Sequence, residues 1–383
     1  MKIIGPDEVH AALSYPALID ALQETFSGEF TMPPRNVFPL DENSDNHDAF
    51  AVLPSWNTSL IGVKAFTYFP SNQEPYKSLY SKILLFDRAH GEPLALVDGT
   101  TVTFWRTAGI SGLATRLLAR EDADTLLLLG TGNLASYIIR ANASVRPLKR
   151  ILVWGRTPSN ARKVVDRMDA ELDGIEISVA DDLQDACGQA DIIVSATASH
   201  QPLVEGDWVK EGTHTDFIGN HHADKRECDT ALILKSRVYA DSYANCFKEA
   251  GEVLVPISEG VFNKEDVVAE LAEMCAGSAP LRQSDAEITL FKSIGMGISD
   301  LVGAGLAYQV ASESLGCPRS PHSGVATPFF RSARGRTHHE HDRGPRLQAH
   351  CGRVSTHRCT MERTCSRSSP TSGRRGARTV SVP

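Results

Sequence analysis

Residues 124–135 read Asp124-Thr125-Leu126-Leu127-Leu128-Leu129-Gly130-Thr131-Gly132-Asn133-Leu134-Ala135, and this stretch decides the fold. Residues 125–129 form a short apolar run, as expected of a central strand in a parallel sheet covered on both faces. Gly130, Gly132 and Ala135 follow in Gly-x-Gly-x-x-Ala spacing, and Leu134, Ile138 and Ile139 then recur at helical intervals. The first glycine permits a tight turn, the second lets backbone approach a pyrophosphate, and the small third residue packs helix on strand. Phosphates would sit at the helix N-terminus, where unpaired N–H groups and the macrodipole favour anions. A plain glycine-rich turn would explain the spacing alone. It would not explain the strand before it, or the helix and second strand (residues 151–154) after it.

The end of that second strand bears on the cofactor. An NAD site usually carries Asp or Glu there to hold the ribose hydroxyls. This chain has Trp154-Gly155-Arg156-Thr157 instead. A guanidinium suits a 2′-phosphate, and the Thr157 hydroxyl can add a hydrogen bond. NADP(H) is therefore favoured and NAD(H) remains possible, the plainer alternative being that Arg156 is a solvated loop residue.

Working outward, residues 6–24 read as one helix, residues 49–54, 60–66, 82–86 and 93–98 as strands, and residues 87–92 as a turn. A helix is expected over 101–118. Beyond the glycine loop, helices over 159–172 and 182–189 alternate with strands over 175–179, 191–196, 215–218 and 238–241. This alternation implies a doubly wound parallel sheet. Residues 287–315 read as a long apolar helical stretch that returns to pack on the N-terminal region.

Charge is unevenly spread along the 383 residues, whose formal net charge is −8. Residues 318–383 hold 13 Arg, no Lys and three acidic residues, which leaves 26 basic and 44 acidic residues in the first 317. So acidic a body argues against a nucleic-acid partner. The tail has no Ile and a single Leu, too little apolar surface to offset its chain entropy, and disorder is expected. A working basic arm and an accidental reading-frame change after Gly316 are both open; the absence of Lys beside 13 Arg favours the accident. No stretch is apolar enough to span a membrane, and the first residues lack a signal-peptide core. The eight cysteines form no Cys-x-x-Cys pair and no metal-ligand spacing. A reducing, cytoplasmic setting and a metal-free site are expected.

Several widely spaced segments together resemble the ornithine cyclodeaminase/mu-crystallin family over roughly residues 1–316. They are Met32-Pro33-Pro34-Arg35, Gly62-Val63-Lys64, Leu84-Leu85-Phe86-Asp87 with residues 93–99, and Thr103-Phe104-Trp105-Arg106-Thr107-Ala108. Gly130-Thr131-Gly132, Lys225-Arg226-Glu227, Glu249-Ala250-Gly251-Glu252 and Thr289-Leu290-Phe291-Lys292-Ser293 continue the pattern. The resemblance implies an α/β architecture: a Rossmann-type doubly wound parallel sheet plus an α/β domain that binds substrate and pairs with its twin in a homodimer. On that pattern residues 1–120, completed by 296–316, form the substrate-binding and dimerisation domain, residues 121–295 the NAD(P)-binding domain, and residues 317–383 the tail. It further implies that Thr107, Gly130, Thr131, Gly132, Asn133, Leu134, Thr197, Ile218 and Ser293 surround the cofactor.

Substrates of this family share an α-carboxylate beside a C=N or C–N bond, which calls for fixed cations. Arg35, Lys64 and Arg106 stand at the family positions for this role. Lys64 draws notice on its own account, since it interrupts an otherwise apolar strand pattern. The resemblance also gives Tyr80 a place facing the substrate, where many relatives have a different hairpin strand. The chain departs from the cyclodeaminases at Gly219-Asn220-His221-His222-Ala223-Asp224: alignment on Lys225-Arg226-Glu227 puts His221 where their assisting aspartate stands. An imidazole can move protons near neutral pH, but it does not reproduce a permanent carboxylate beside an iminium. A ketimine reductase needs less, with Lys64 or a water near His221 supporting the proton on nitrogen. The expectation is NAD(P)H-dependent reduction of a cyclic imino acid, Δ1-pyrroline-2-carboxylate or Δ1-piperideine-2-carboxylate, to L-proline or L-pipecolate. Ornithine cyclodeamination to proline and ammonia, and crystallin-like ligand binding with NADPH, are the alternatives.

Overall fold

The structure, a computed structural model, describes residues 1–41 and 48–313; the tail expectations for residues 317–383 lie outside the described residues. The chain opens with strand β1 (Lys2–Ile4), helices α1 (Pro6–Ala12) and α2 (Tyr15–Ser27), and strands β2 (Phe30–Thr31) and β3 (Asn36–Pro39). Strands β4 (Ala49–Asn57), β5 (Leu60–Tyr68), β6 (Leu79–Asp87) and β7 (Pro93–Asp98) follow, then helix α3 (Gly99–Leu118). Next come β8 (Thr125–Leu129), α4 (Ala135–Ala143), β9 (Arg150–Trp154), α5 (Pro158–Asp169), β10 (Glu176–Val179), α6 (Leu183–Gln189), β11 (Ile192–Ser195) and β12 (His214–Phe217). The rest is α7 (Thr230–Lys235), β13 (Ser236–Ala240), α8 (Tyr243–Glu249), α9 (Gly251–Ser258), β14 (Val267–Glu270), α10 (Leu271–Ala276), β15 (Ile288–Lys292) and α11 (Gly297–Glu313).

Two sheets result. The first runs β1-β7-β6-β5-β4-β2, with β3 also on β4; β4 to β7 form an antiparallel meander, and β1 joins β7 in parallel. The turn from β6 to β7 closes on Asp87, whose Oδ1 accepts the N–H groups of Ala89 and His90. Helices α2, α3 and α11 pack against one another, and α11 lies on β4, β5 and β6.

The second sheet is parallel throughout, in the order β10-β9-β8-β11-β12-β15-β13-β14. Leu126 and Leu128 of β8 pack with Ile138, Ile139 and Val164 on one face, while Leu127 and Leu129 pack with Ala186 and Leu232 on the other. Burial on both faces explains why this strand is apolar at successive positions. Strand order reverses between β8 and β11, and in open α/β sheets the ligand crevice lies outside the carboxyl ends of strands at such a reversal.

Two elements differ from the sequence expectation. Residues 6–24 are two helices, not one: Leu13 and Ser14 are extended, with Ser14 as N-cap and Pro16 in the first turn of α2. Pro16 has no N–H to donate to the Ala12 carbonyl oxygen, so α1 does not run on into α2. Residues 287–315 are not one helical stretch. Ile288–Lys292 is a fully buried strand between β12 and β13, and the chain turns at Gly295, φ +97°, before α11. A short run buried on every side carries no period that separates strand from helix.

Candidate active site

At the carboxyl end of β8, Gly130 takes φ +117°, and a Cβ there would lie 2.5 Å from the Ala196 carbonyl oxygen. Only glycine allows the two crossover loops to approach so closely. A Cβ on Gly132, by contrast, would meet no atom within 4 Å. Open space thus stands over exposed backbone one turn before α4, where Ala135 is packed at 2% exposure. Thr131 leans on Gly155, whose added Cβ would come 2.6 Å from the Thr131 Cγ2. Asn133 is exposed, and Leu134 is half-buried against the core as the α4 N-cap. Arg156 and Thr157 are both exposed beyond β9. The Thr157 hydroxyl makes no capping bond to α5, which leaves it available to a ligand.

Thr197, Ile218 and Ser293 end β11, β12 and β15 respectively. Thr197 is tied to a residue assigned no role of its own from sequence: Glu227 Oε1 accepts its N–H at 2.8 Å and its hydroxyl at 2.7 Å. The same carboxylate takes the Ser195 hydroxyl at 2.7 Å and, through Oε2, the Gly219 N–H at 2.7 Å. Ile218 is core, 4% exposed, so its contribution to a ligand is backbone or one apolar edge. The Ser293 hydroxyl donates to Asp241, and Thr107 is buried on α3. Beneath this rim lies Lys292, fully buried, with Nζ 2.9 Å from Glu252 and 3.0 Å from the Asn220 carbonyl oxygen. Burial alone would lower its pKa, but Glu252 and Glu227 raise it.

Lys64 and Arg106 converge from the first sheet and α3. Lys64 Nζ donates to Thr103 Oγ1 at 2.6 Å and to Asp300 Oδ1 at 3.1 Å. Arg106 Nε donates to the same Asp300 oxygen at 3.0 Å. Burial and the Arg106 charge pull the Lys64 pKa below the ordinary lysine value, with Asp300 acting against both. Arg35 is paired to Glu249 of α8. His221 follows β12 on a loop and meets solvent. Desolvation in the cleft and the charges of Lys292, Arg106 and Arg35 hold its pKa below the usual imidazole range. That direction disfavours the charged ring.

Tyr80 also needs correction. It pairs with Thr67, whereas Lys64 pairs with Ile83, and successive strand residues point to opposite faces. Tyr80 therefore lies on the outer face, 46% exposed, its hydroxyl accepting the Lys77 N–H. Its neighbour Ser81 is the residue on the Lys64 face, and it is buried. Among the described residues no cluster of His, Cys, Asp or Glu has the form of a metal site.

Asp300 went unread in the sequence, and Lys292, Glu227 and Glu252 stood there only in the family pattern, with no role. A signal was present: Lys292 and Asp300 are charges inside an apolar stretch, the same feature that singled out Lys64.

Comparison with known proteins agrees with this geometry. A Δ1-pyrroline-2-carboxylate reductase of Colwellia psychrerythraea is 50% identical over 307 residues, covering 79% of this chain and 97% of the relative. The solved structure of the Thermococcus litoralis Δ1-pyrroline-2-carboxylate reductase with NADH and L-proline is 33% identical, with TM-score 0.76 over 82% of this chain and 98% of that one. An archaeal alanine dehydrogenase dimer with bound NAD is 28% identical, with TM-score 0.76 over 82% and 97%. The profile of the ornithine cyclodeaminase/mu-crystallin family matches residues 6–314, and the chain belongs to that family.

Proposed function

We propose that this protein is an NAD(P)H-dependent reductase of a small cyclic imino acid, with Δ1-pyrroline-2-carboxylate as substrate and L-proline as product. The observation that carries the reading is the pairing of buried Lys64 and half-buried Arg106 on Asp300, near a His221 loop that offers an imidazole in place of a carboxylate. The relatives named for this reaction support it.

The residues at the crossover fit a dinucleotide: left-handed Gly130, open space over Gly132, and the uncommitted Thr157 hydroxyl. When bound, the cofactor supplies a hydride to the imine carbon while the nitrogen keeps its proton, so that C=N becomes CH–NH. Arg106, Lys64 and Arg35 receive the substrate carboxylate. Lys64, whose pKa is lowered by burial and held up by Asp300, turns its remaining N–H toward the substrate. Neutral His221 accepts a hydrogen bond without adding a fourth positive charge.

The preference for NADP(H) rests on exposed Arg156, which has no carboxylate beside it at the end of β9; the two similar structures above carry NADH or NAD. We also assign substrate binding to residues 1–120 with α11, and cofactor binding to residues 121–295. A homodimer through the outer face of the first sheet completes the reading. Phe38, Phe50, Thr67 and Tyr80 stand in one cross-strand row there, and Phe38 and Phe50 are 50% and 37% exposed. An exposed apolar row of this kind marks an interaction surface.

Purified protein given Δ1-pyrroline-2-carboxylate and NADPH should lose nicotinamide absorbance and form L-proline. Conversion of ornithine to proline and ammonia without net cofactor change would instead identify a cyclodeaminase. Tight ligand binding without turnover would identify a binding protein.

A further inference from the structure

Two cations side by side repel, and the burial of Lys64 and partial burial of Arg106 raise the cost of both charges. Asp300 of α11 resolves this for Lys64 of β5 and Arg106 of α3. One oxygen, Oδ1, stands 3.1 Å from Lys64 Nζ and 3.0 Å from Arg106 Nε, and the Asp300 side chain is 1% exposed. The other oxygen, Oδ2, is buried and has no hydrogen-bond partner among the described residues.

The way each cation is held matters for a ligand. Arg106 meets Asp300 through Nε, and its two terminal nitrogens have no hydrogen-bond partner among the described residues. They lie over Gly295, where an added Cβ would come 3.1 and 3.4 Å from them. Lys64 commits two donors, to Asp300 and to Thr103, whose own hydroxyl is anchored on the Gly99 carbonyl at 2.7 Å. A third N–H of the ammonium is left over. The clamp thus spends the inner donors and leaves the outer ones aimed away from it.

We propose that Asp300 is a positioning residue of this site: by gripping Lys64 and Arg106 on one oxygen, it fixes the spacing and donor directions of the pair that receives the substrate carboxylate. The proposal rests on the reductase reading for the identity of that substrate. The charged groups facing Lys64 are Asp300 from α11 and Arg106 from α3; its cross-strand neighbours are Leu53 and Ile83, both apolar. Asp300 is accordingly the group that opposes burial and Arg106 in setting the Lys64 charge.

The test compares Asp300→Asn and Asp300→Glu with wild type in melting temperature, NADPH affinity, KM, kcat and the pH profile of kcat/KM. Asp300→Asn should raise KM about tenfold to a hundredfold, the loss of a charge-assisted bond. NADPH affinity should change less than about twofold, well short of that loss. The alkaline limb of kcat/KM should move to lower pH, because the group that keeps Lys64 protonated is gone, and Asp300→Glu should move it back. A folded Asp300→Asn with wild-type KM and an unmoved limb would overturn the proposal. Should that variant fail to fold, Lys64→Met with Asp300→Asn removes one charge of each sign. It should bind substrate more weakly than Lys64→Met alone, since Arg106 is released; equal binding would overturn the clamp. If wild type reduces no cyclic imine, the reductase reading fails separately. Pyrrole-2-carboxylate binding to the NADPH complex of the same variants then reads the clamp without turnover, and unchanged binding would overturn it.

Discussion

Glu227 Oε1 accepts both polar hydrogens of Thr197, the N–H at 2.8 Å and the hydroxyl at 2.7 Å. A buried carboxylate from the loop after β12 thereby shapes the crossover where β11 ends. With Ser195 and Gly219 it collects four donors in all, and Lys292 stands near enough to lower its raised pKa in part. Replacing Glu227 by Gln turns one acceptor into a donor and leaves at least one buried hydrogen without a partner. That should cost about 1–3 kcal/mol, read as a fall in melting temperature. Cofactor affinity should fall with it, because Thr197 and Gly219 lose their anchor. Unchanged NADPH binding in a folded Glu227→Gln would remove Glu227 from the cofactor site.

Arg156 is a cleaner probe, since it is exposed and outside the core. Arg156→Asp should weaken NADPH binding by roughly ten- to a hundredfold, the loss of a charge-assisted pair with phosphate. NADH binding should hold or improve, because a carboxylate there suits the ribose hydroxyls. Fluorescence titration with both cofactors checks this. Equal affinity of wild type for NADH and NADPH would remove the basis of the NADP(H) preference.

Legibility in the sequence followed locality. The β8–Gly130–α4 unit was readable because strand, turn and helix are contiguous and each has its own signature. Lys64 was readable because a charge in an apolar strand breaks a short pattern. Asp300 makes the same break in an apolar helix, but its role depends on an ion pair spanning 236 residues, which no local pattern carries. Tyr80 failed for a subtler reason. Strand faces alternate, so a register one residue off moves a side chain from the cleft to the outer surface. The split of residues 287–315 into strand and helix depended on what surrounds them, and the surroundings of a fully buried run are not written in its own period.

Asp216 of β12 makes a pH prediction. Its side chain is fully buried, with the Ser111 hydroxyl beside it. Burial pushes its pKa up to about 7, with the nearby Ser111 hydroxyl and Lys292 ammonium offsetting this only in part. A carboxyl whose folded pKa is raised binds its proton more tightly folded than unfolded. The stability linked to it is therefore full below the unfolded value near 3.8 and lost as pH rises through about 7. Asp216→Asn cannot ionise. Its melting temperature should exceed that of wild type above neutral pH, and the difference should shrink steadily toward acid. A constant difference across the range would mean that Asp216 is not the titrating group.

The outer row of the first sheet makes the last prediction. Phe38 and Phe50 stack with ring centroids 6.4 Å apart, and Leu40 just beyond β3 is 54% exposed. Helices cover the opposite face of this sheet, so the row is the side open to a second copy. Placing a charge in the middle of such a surface should abolish pairing, because an unpaired carboxylate would be desolvated twice in a symmetric contact. Phe38→Glu should sediment as a monomer at concentrations where wild type is a dimer. Its own fold should survive, since β3 is exposed at all four positions and contributes little to the core. Sedimentation velocity and a thermal melt on the two proteins decide it. A Phe38→Glu variant that remains dimeric would move the interface elsewhere, and a monomeric wild type would remove the dimer from this reading.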